Sequence, residues 1–140
     1  MYETIKVQLD SNAFKPVRAH EADAGMDIKS PISWLIPARG SATIDTGVHI
    51  EIPPKYVGML KSKSGLNVKH GITSEGVVDS GYTGSVRVKL YNNSDVDYQV
   101  NKGDKISQLV IIPIITPSVE IVDKLEATER GDAGFGSSGR

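Results

Sequence analysis

Cysteine is absent from the 140 residues, which excludes disulfide frameworks, thiolate nucleophiles and Cys-ligated zinc. Histidine is scarce: His20, His49 and His70 are scattered, so an all-His catalytic metal centre is not expected. A surplus of either charge is missing too. Sixteen Lys and Arg stand against seventeen Asp and Glu, a formal net charge of −1. That balance weighs against a protein that grips nucleic acid or an anionic membrane through bulk charge. No apolar run approaches the roughly 18 residues of a membrane span, and the opening MYETIKVQLD is too polar for a signal peptide. The expectation is one soluble domain in a reducing, cytoplasmic compartment, or in the host cytoplasm if the source is viral.

What is present is mostly strand. Ile5, Val7 and Leu9 alternate with polar residues, as do Val48, Ile50 and Ile52, and Val86, Val88 and Leu90. SWLIP, SATIDT, YVGMLKS, DYQV, ISQLVIIPII and SVEIVDKL are further candidates, separated by turn chemistry such as Pro53-Pro54, Gly81 and Lys102 to Asp104. Many short strands with Gly and Pro between them predict an all-β sandwich, jelly roll or barrel. The one helix expected is SGLNVKHG, with Ser64 placed to cap its start and Gly71 to end it. LVIIPII is apolar on both faces, which suits a strand covered on both sides, either by its own chain or by another subunit. Pro113 within it implies a bulge or an edge position.

Residues 130–140, RGDAGFGSSGR, differ in kind from 1–129: Gly and Ser dominate and Phe135 is the single large apolar group. Ordering about ten such residues costs on the order of 10–20 kcal/mol of conformational entropy. Burying one Phe returns about 3 kcal/mol. This arm is expected to be mobile in the free protein and to settle only when something else supplies contacts.

Five segments could carry chemistry. In ADAGMDIKS, Asp27 follows Gly25 closely enough that a tight bend could offer its carboxylate to a cation or a water; an ordinary turn Asp is the plainer interpretation. In KSKSGLNVKHG, Lys63 and Ser64 stand where a helix start favours an anion, though solvated lysines beside a capped helix would look the same. In EGVVDSGYTGSVRVKLYN, Asp79 and Tyr82 flank Gly81 as a β-hairpin would place them. A carboxylate there can take a proton from water, and a tyrosine face can meet a sugar or base. In KGDKISQLVI, Gln108 follows a Gly103-Asp104 turn and could donate a hydrogen bond to a phosphate. The arm combines a cation, a ring and hydroxyls in Arg130, Phe135, Ser137 and Ser138.

In order, AGMD, KSGL, GVVDSGYTG, GDKISQL and RGDAGFGSSG resemble the five motifs of the trimeric dUTPases, over residues 24 to 138. Each is weak alone; five in order are specific. The resemblance implies a jelly-roll-like β-barrel with one short helix. It also implies a homotrimer with active sites shared between subunits, and hydrolysis of dUTP to dUMP and pyrophosphate with Mg2+ bound mainly by the triphosphate. Asp79 then matches the general base that takes a proton from the attacking water. Tyr82 matches the residue that packs on deoxyribose and leaves no room for a 2′-hydroxyl, and the base is read largely by backbone of the hairpin around residues 73–86. Lys63, Ser64, Gly65, Thr73, Val78, Lys89 and Gln108 fall on substrate-binding positions. Asp27 matches a carboxylate that reaches the metal through water. Arg130, Gly136, Ser137 and Ser138 fall in the arm that clamps the phosphates, and Phe135 matches the ring that stacks on uracil.

The departures are Lys63 where Arg is common, Lys105 and Ser107 in place of the usual Arg and Ala, Ser138 for Thr, and Thr73 where Asn is frequent. None removes a group that the chemistry requires. Two alternatives stand beside hydrolysis. One is a dCTP deaminase-like enzyme of the same fold, for which Glu75 would be the nearby proton shuttle. The other is a dUTP-gated interaction protein.

Overall fold

A computed structural model of the chain describes residues 4–136 and 138–139. Ten elements follow one another: β1 (Val7–Leu9), β2 (Gly25–Lys29), β3 (Trp34–Ile36), β4 (Ser41–Ile50), β5 (Tyr56–Lys61), α1 (Ser64–His70), β6 (Ile72–Val78), β7 (Ser85–Asn92), β8 (Tyr98–Val100) and β9 (Lys105–Pro113). Seven strands form one antiparallel sheet in the order β1-β4-β7-β6-β5-β9-β2, and β3 pairs with β8 in a separate ribbon. The pairs β5·β6, β4·β7, β3·β8 and β2·β9 are nested like one long hairpin folded over itself, which is the wrap of a jelly roll.

The large sheet is rolled, not flat. β7 and β9 are three places apart in its order, about 14 Å if flat at the usual strand spacing. Some of their Cα atoms nevertheless approach within 8 Å. The rolled interior holds one core that includes Ile28, Ile36, Ile44, Leu90, Ile106 and Leu109. Alternation produces it: in β7, Val86, Val88 and Leu90 are buried and the residues between them face out.

Several expectations change. SATIDT and the first four residues of GVHIEI are one ten-residue strand, β4, whose register shifts between Asp45 and His49 opposite β7. Helix α1 appears where expected, and Gly71 closes it in the left-handed region. Ser64, however, is the first helical residue; Lys63 occupies the cap position and no side chain caps the helix. Pro113 does take an edge position: it ends β9 opposite Tyr56 of β5, while the pairing with β2 stops at Val110, so its missing N–H interrupts no ladder. SVEIVDKL forms no strand. Its Val119, Ile121 and Leu125 are exposed because nothing in the single chain pairs with that stretch. The AGMDIKS segment is not a bend but strand β2.

Candidate active site

The β6–β7 hairpin opens toward its tip. The two strands pair from Ile72 and Asn92 to Ser74 and Leu90. Beyond that point β6 stays on β5 and β7 stays on β4, so the facing edges part. Between them lies a slot of about 260 Å³, lined among others by Gly76, Val78, Val86, Arg87, Asp79 and Tyr82. Strand edges without a ladder partner offer backbone donors and acceptors to whatever enters.

The tip is shaped by its own sequence. The Tyr82 N–H donates to the Asp79 carbonyl at 3.1 Å, closing a four-residue turn. Gly81, third in that turn, has φ +93°, a conformation in which a Cβ would be strained. The Tyr82 hydroxyl donates to the Ser85 carbonyl at 2.8 Å, which lays the ring back along the loop. The Asp79 side chain is exposed, and its carboxylate carries no hydrogen bond or ion pair among the described residues. An unengaged carboxylate beside a slot is free to take up a water.

A second group gathers on the outer face of the sheet. The register sets Asp27 of β2 opposite Gln108 of β9, and Gln108 opposite Lys61 of β5. Asp27 is only 4% exposed, yet it is not alone. Lys63 Nζ contacts its Oδ1, and Lys105 Nζ lies 3.3 Å from its Oδ2. Burial alone raises the Asp27 pKa, but Lys63 and then Lys105 outweigh it and hold the carboxyl below its ordinary value. Gln108 Nε2 donates to the Ser62 carbonyl at 2.9 Å. Gly25 makes room for that side chain, since a Cβ there would stand 2.2 Å from Gln108 Oε1. From Ser62 the chain runs directly into Lys63 and the uncapped start of α1, where Ser64 and Gly65 are exposed. The first N–H groups of a helix have no intrahelical acceptor, so this end, with two lysines close by, is electropositive.

Thr73 and Lys89 do not line the slot. The Thr73 hydroxyl accepts from Asn93 Nδ2 at 3.1 Å, and the Lys89 ammonium lies 5.1 Å from the centre of the Tyr91 ring. No hydrogen bond among the described residues ties the arm to either group. The arm's hydrogen bonds are local: Arg130 Nε donates to the Ala133 carbonyl and the Gly131 N–H to Thr128 Oγ1 at 3.0 Å. Phe135, Gly136 and Ser138 are exposed. Ser137 lies outside the described residues.

The dUTPase family model matches residues 11–139. The chain belongs to the dUTPase family. The deoxyuridine 5′-triphosphate nucleotidohydrolase of Eremothecium gossypii is 45% identical over 139 residues, covering 97% of this chain and 91% of that protein. The structure of the dUTPase of Staphylococcus bacteriophage 80alpha with dUPNHPP superposes with a TM-score of 0.90 at 34% identity, over 99% of this chain and all of that one. A dUTPase of the Staphylococcus aureus phage phi11, described with a structural Mg(II) ion, superposes with a TM-score of 0.82 at 34% identity, over 89% of this chain and 99% of that one.

Against that family frame, two participants escaped the sequence reading. Arg87 lines the slot, and Lys105 is the second cation on Asp27. Both stand at exposed positions of alternating strands, where a cation signals nothing until the register names its neighbour.

Proposed function

We propose that the protein hydrolyses dUTP to dUMP and pyrophosphate, lowering dUTP and supplying dUMP for dTTP synthesis. The observation that carries this reading is the slot, which holds Asp79 and Tyr82 together at the parted end of β6 and β7. The slot takes uracil edge-on against hairpin backbone and the flank of Val78. Tyr82 packs on the deoxyribose and excludes a 2′-hydroxyl. Asp79 takes a proton from the water that attacks the α-phosphorus, a contribution of about 10²–10⁴-fold in rate. Lys63, Ser64, Gly65 and Gln108 hold the phosphate chain, and Thr73 and Lys89, outside the slot, support the hairpin strands that form it. Arg130, Gly136, Ser137 and Ser138 close over the phosphates and Phe135 over the base, so 130–140 works as a flap on the 1–129 barrel.

Mg2+ fits as part of the nucleotide. No group of three His, Asp or Glu among the described residues could cage an ion, and Asp27 is one carboxylate balanced by two lysines. When bound, the metal neutralises phosphate charge; Asp27, kept ionised, is the side chain placed to accept hydrogen bonds from its water shell. The assembly is a homotrimer with shared sites. Two features support it: an apolar row of Val77, Met59 and Val110 on the outer sheet face, and an arm whose hydrogen bonds among the described residues are all local. The partner molecule is dUTP, with no direct nucleic acid and no membrane; the location is cytoplasmic, or host cytoplasm for a viral source. No helix of the described residues is long and apolar enough to cross a membrane.

Deamination is disfavoured because Glu75 is paired with Lys61 at 3.2 Å and does not line the slot. A dUTP-gated regulatory role has one observation in its favour. The 80alpha relative is described as controlling transfer of virulence genes by a G protein-like mechanism. Steady-state turnover of each dNTP and UTP with magnesium, assayed for pyrophosphate and ammonia, separates the readings. Pyrophosphate from dUTP alone is expected; ammonia from dCTP selects the deaminase, and dUTP binding without turnover selects the regulator.

A further inference from the structure

His49 of β4 lies opposite Ser85 across the β4–β7 ladder, at the end of the register shift. Its ring spans two segments that are distant in sequence. Nδ1 is 2.8 Å from the carbonyl oxygen of Thr83, and Nε2 is 3.1 Å from Asp10 Oδ1. Thr83 directly follows Tyr82 in the loop that carries Asp79. Asp10, just past β1, is itself fixed, its N–H donating to the Gly47 carbonyl at 2.9 Å.

The chemistry of the two partners decides the ring's proton count. A peptide carbonyl and a carboxylate only accept, so both imidazole nitrogens must donate. A neutral imidazole has one N–H and leaves a lone pair facing an oxygen. The imidazole is 23% exposed, so water replaces these contacts only in part.

We propose that His49, as an imidazolium held between Asp10 and the Thr83 carbonyl, is a positioning residue that fastens the Asp79–Tyr82 loop to the barrel. It acts through the loop and not on substrate, so it governs how well the slot is preformed for the sugar and base. The proposal rests on the assignment of that loop to the dUTP site.

The surrounding charges agree. The Thr83 carbonyl raises the His49 pKa above its ordinary 6.5, burial opposes this, and Asp10 and Asp45 add to the rise. Asp45, on the same strand, is held ionised by the Ser85 hydroxyl and the Gly47 N–H, with Arg87 opposite it on β7. Lys6 and Glu51 line the cavity beside His49 with opposite charges. A raised pKa means that the double tie is complete below about pH 6.5 and is lost as pH climbs through the higher folded value.

The test begins with NMR titration of the His49 ring nitrogens in the intact protein. Both nitrogens are expected to be protonated at pH 6.5, with a midpoint above it, and the Tyr82 and Thr83 amide signals should move with the same midpoint. In kinetics, the KM for dUTP should rise about three- to tenfold across that midpoint while kcat changes less, as for loss of one charge-assisted hydrogen bond. His49→Gln should show the raised KM already at low pH and lose the inflection. Asp10→Asn should shift the inflection to lower pH. A midpoint at or below the ordinary value, amide signals that ignore it, or an unchanged inflection in His49→Gln overturns the proposal. The NMR readout needs no turnover. Failure to hydrolyse dUTP would therefore sink the functional reading alone, and silent Tyr82 and Thr83 signals would sink this one alone.

Discussion

The barrel and the stretch from 114 to 139 contain the same kinds of apolar residue and treat them in opposite ways. Ile44 of β4 and Leu109 of β9 are fully buried, whereas Ile115 and Ile121 are 84% and 89% exposed. Hydrophobicity does not distinguish them; neighbours do. Every barrel strand has a paired strand to set its register, and all but the short, exposed β1 have a rolled interior to receive side chains. After Ile114, whose N–H still donates to the Lys55 carbonyl at 2.9 Å, the described residues of the stretch form no such ladder. Apolar side chains left in water at this density are a demand for contacts from outside the chain. In the proposed function, the nucleotide meets that demand in the arm. On that proposal, stability resides in the barrel and part of catalysis in a segment whose described residues add little to it.

Four changes sharpen or break this division. The largest effect is expected at the barrel's proposed catalytic group. Asp79→Asn should reduce kcat for dUTP by about 10²–10⁴-fold with Kd little changed, as measured by single-turnover kinetics and calorimetry. Normal turnover in that variant would mean that the base lies elsewhere. Next, removing residues 130–140 should lower kcat/KM by on the order of 10²–10³-fold, as loss of preorganised phosphate donors does. The Tm should stay within a few degrees, and a cooperative loss of fold on deletion would place structural weight in the arm.

The third change addresses a buried charge. Asp27→Asn should cost about 1–3 kcal/mol in urea unfolding, less than for a fully buried pair because Lys105 is half exposed. The folded pKa of Asp27 is depressed from 3.8, so its ionisation contributes stability in full above that value. The contribution fades as pH falls through the lower folded value, so the variant should show a shallower acid limb below about pH 4. An identical acid limb would mean that the two lysines do not hold that carboxylate. The smallest effect is expected from Gly25→Ala, which should push Gln108 off the Ser62 carbonyl and raise KM several-fold with Tm nearly unchanged. An unaltered KM would remove Gln108 from the phosphate site.

Much of the site was legible before the fold was known, because local rules shape it. Asp79, Gly81 and Tyr82 belong to one turn, and Gly71 ends the one helix among the described residues; neighbours in sequence suffice to place them. Asp27 was not legible in that way. Read locally it suggested a bend, but it lies on a strand, since β9 and the Val17 bridge pair with it on both sides. Ser64 likewise had the right chemistry for a cap but sits one residue too late. SVEIVDKL alternates as a strand should and remains unpaired, because alternation states a preference for a partner without supplying one.

Composition, alternation and five ordered motifs by themselves pointed to the family, a mostly-β chain and its short helix, and they proposed the arm and the residue types of a nucleotide site. Tertiary structure alone decided which of these meet: that β6 and β7 part to leave a slot, that two lysines converge on Asp27, and that His49 reaches Thr83. The reason is physical. Turns and caps are set by torsions and hydrogen bonds within a few residues, whereas register, sheet curvature and charge pairing are set by contacts between strands that lie far apart along the chain.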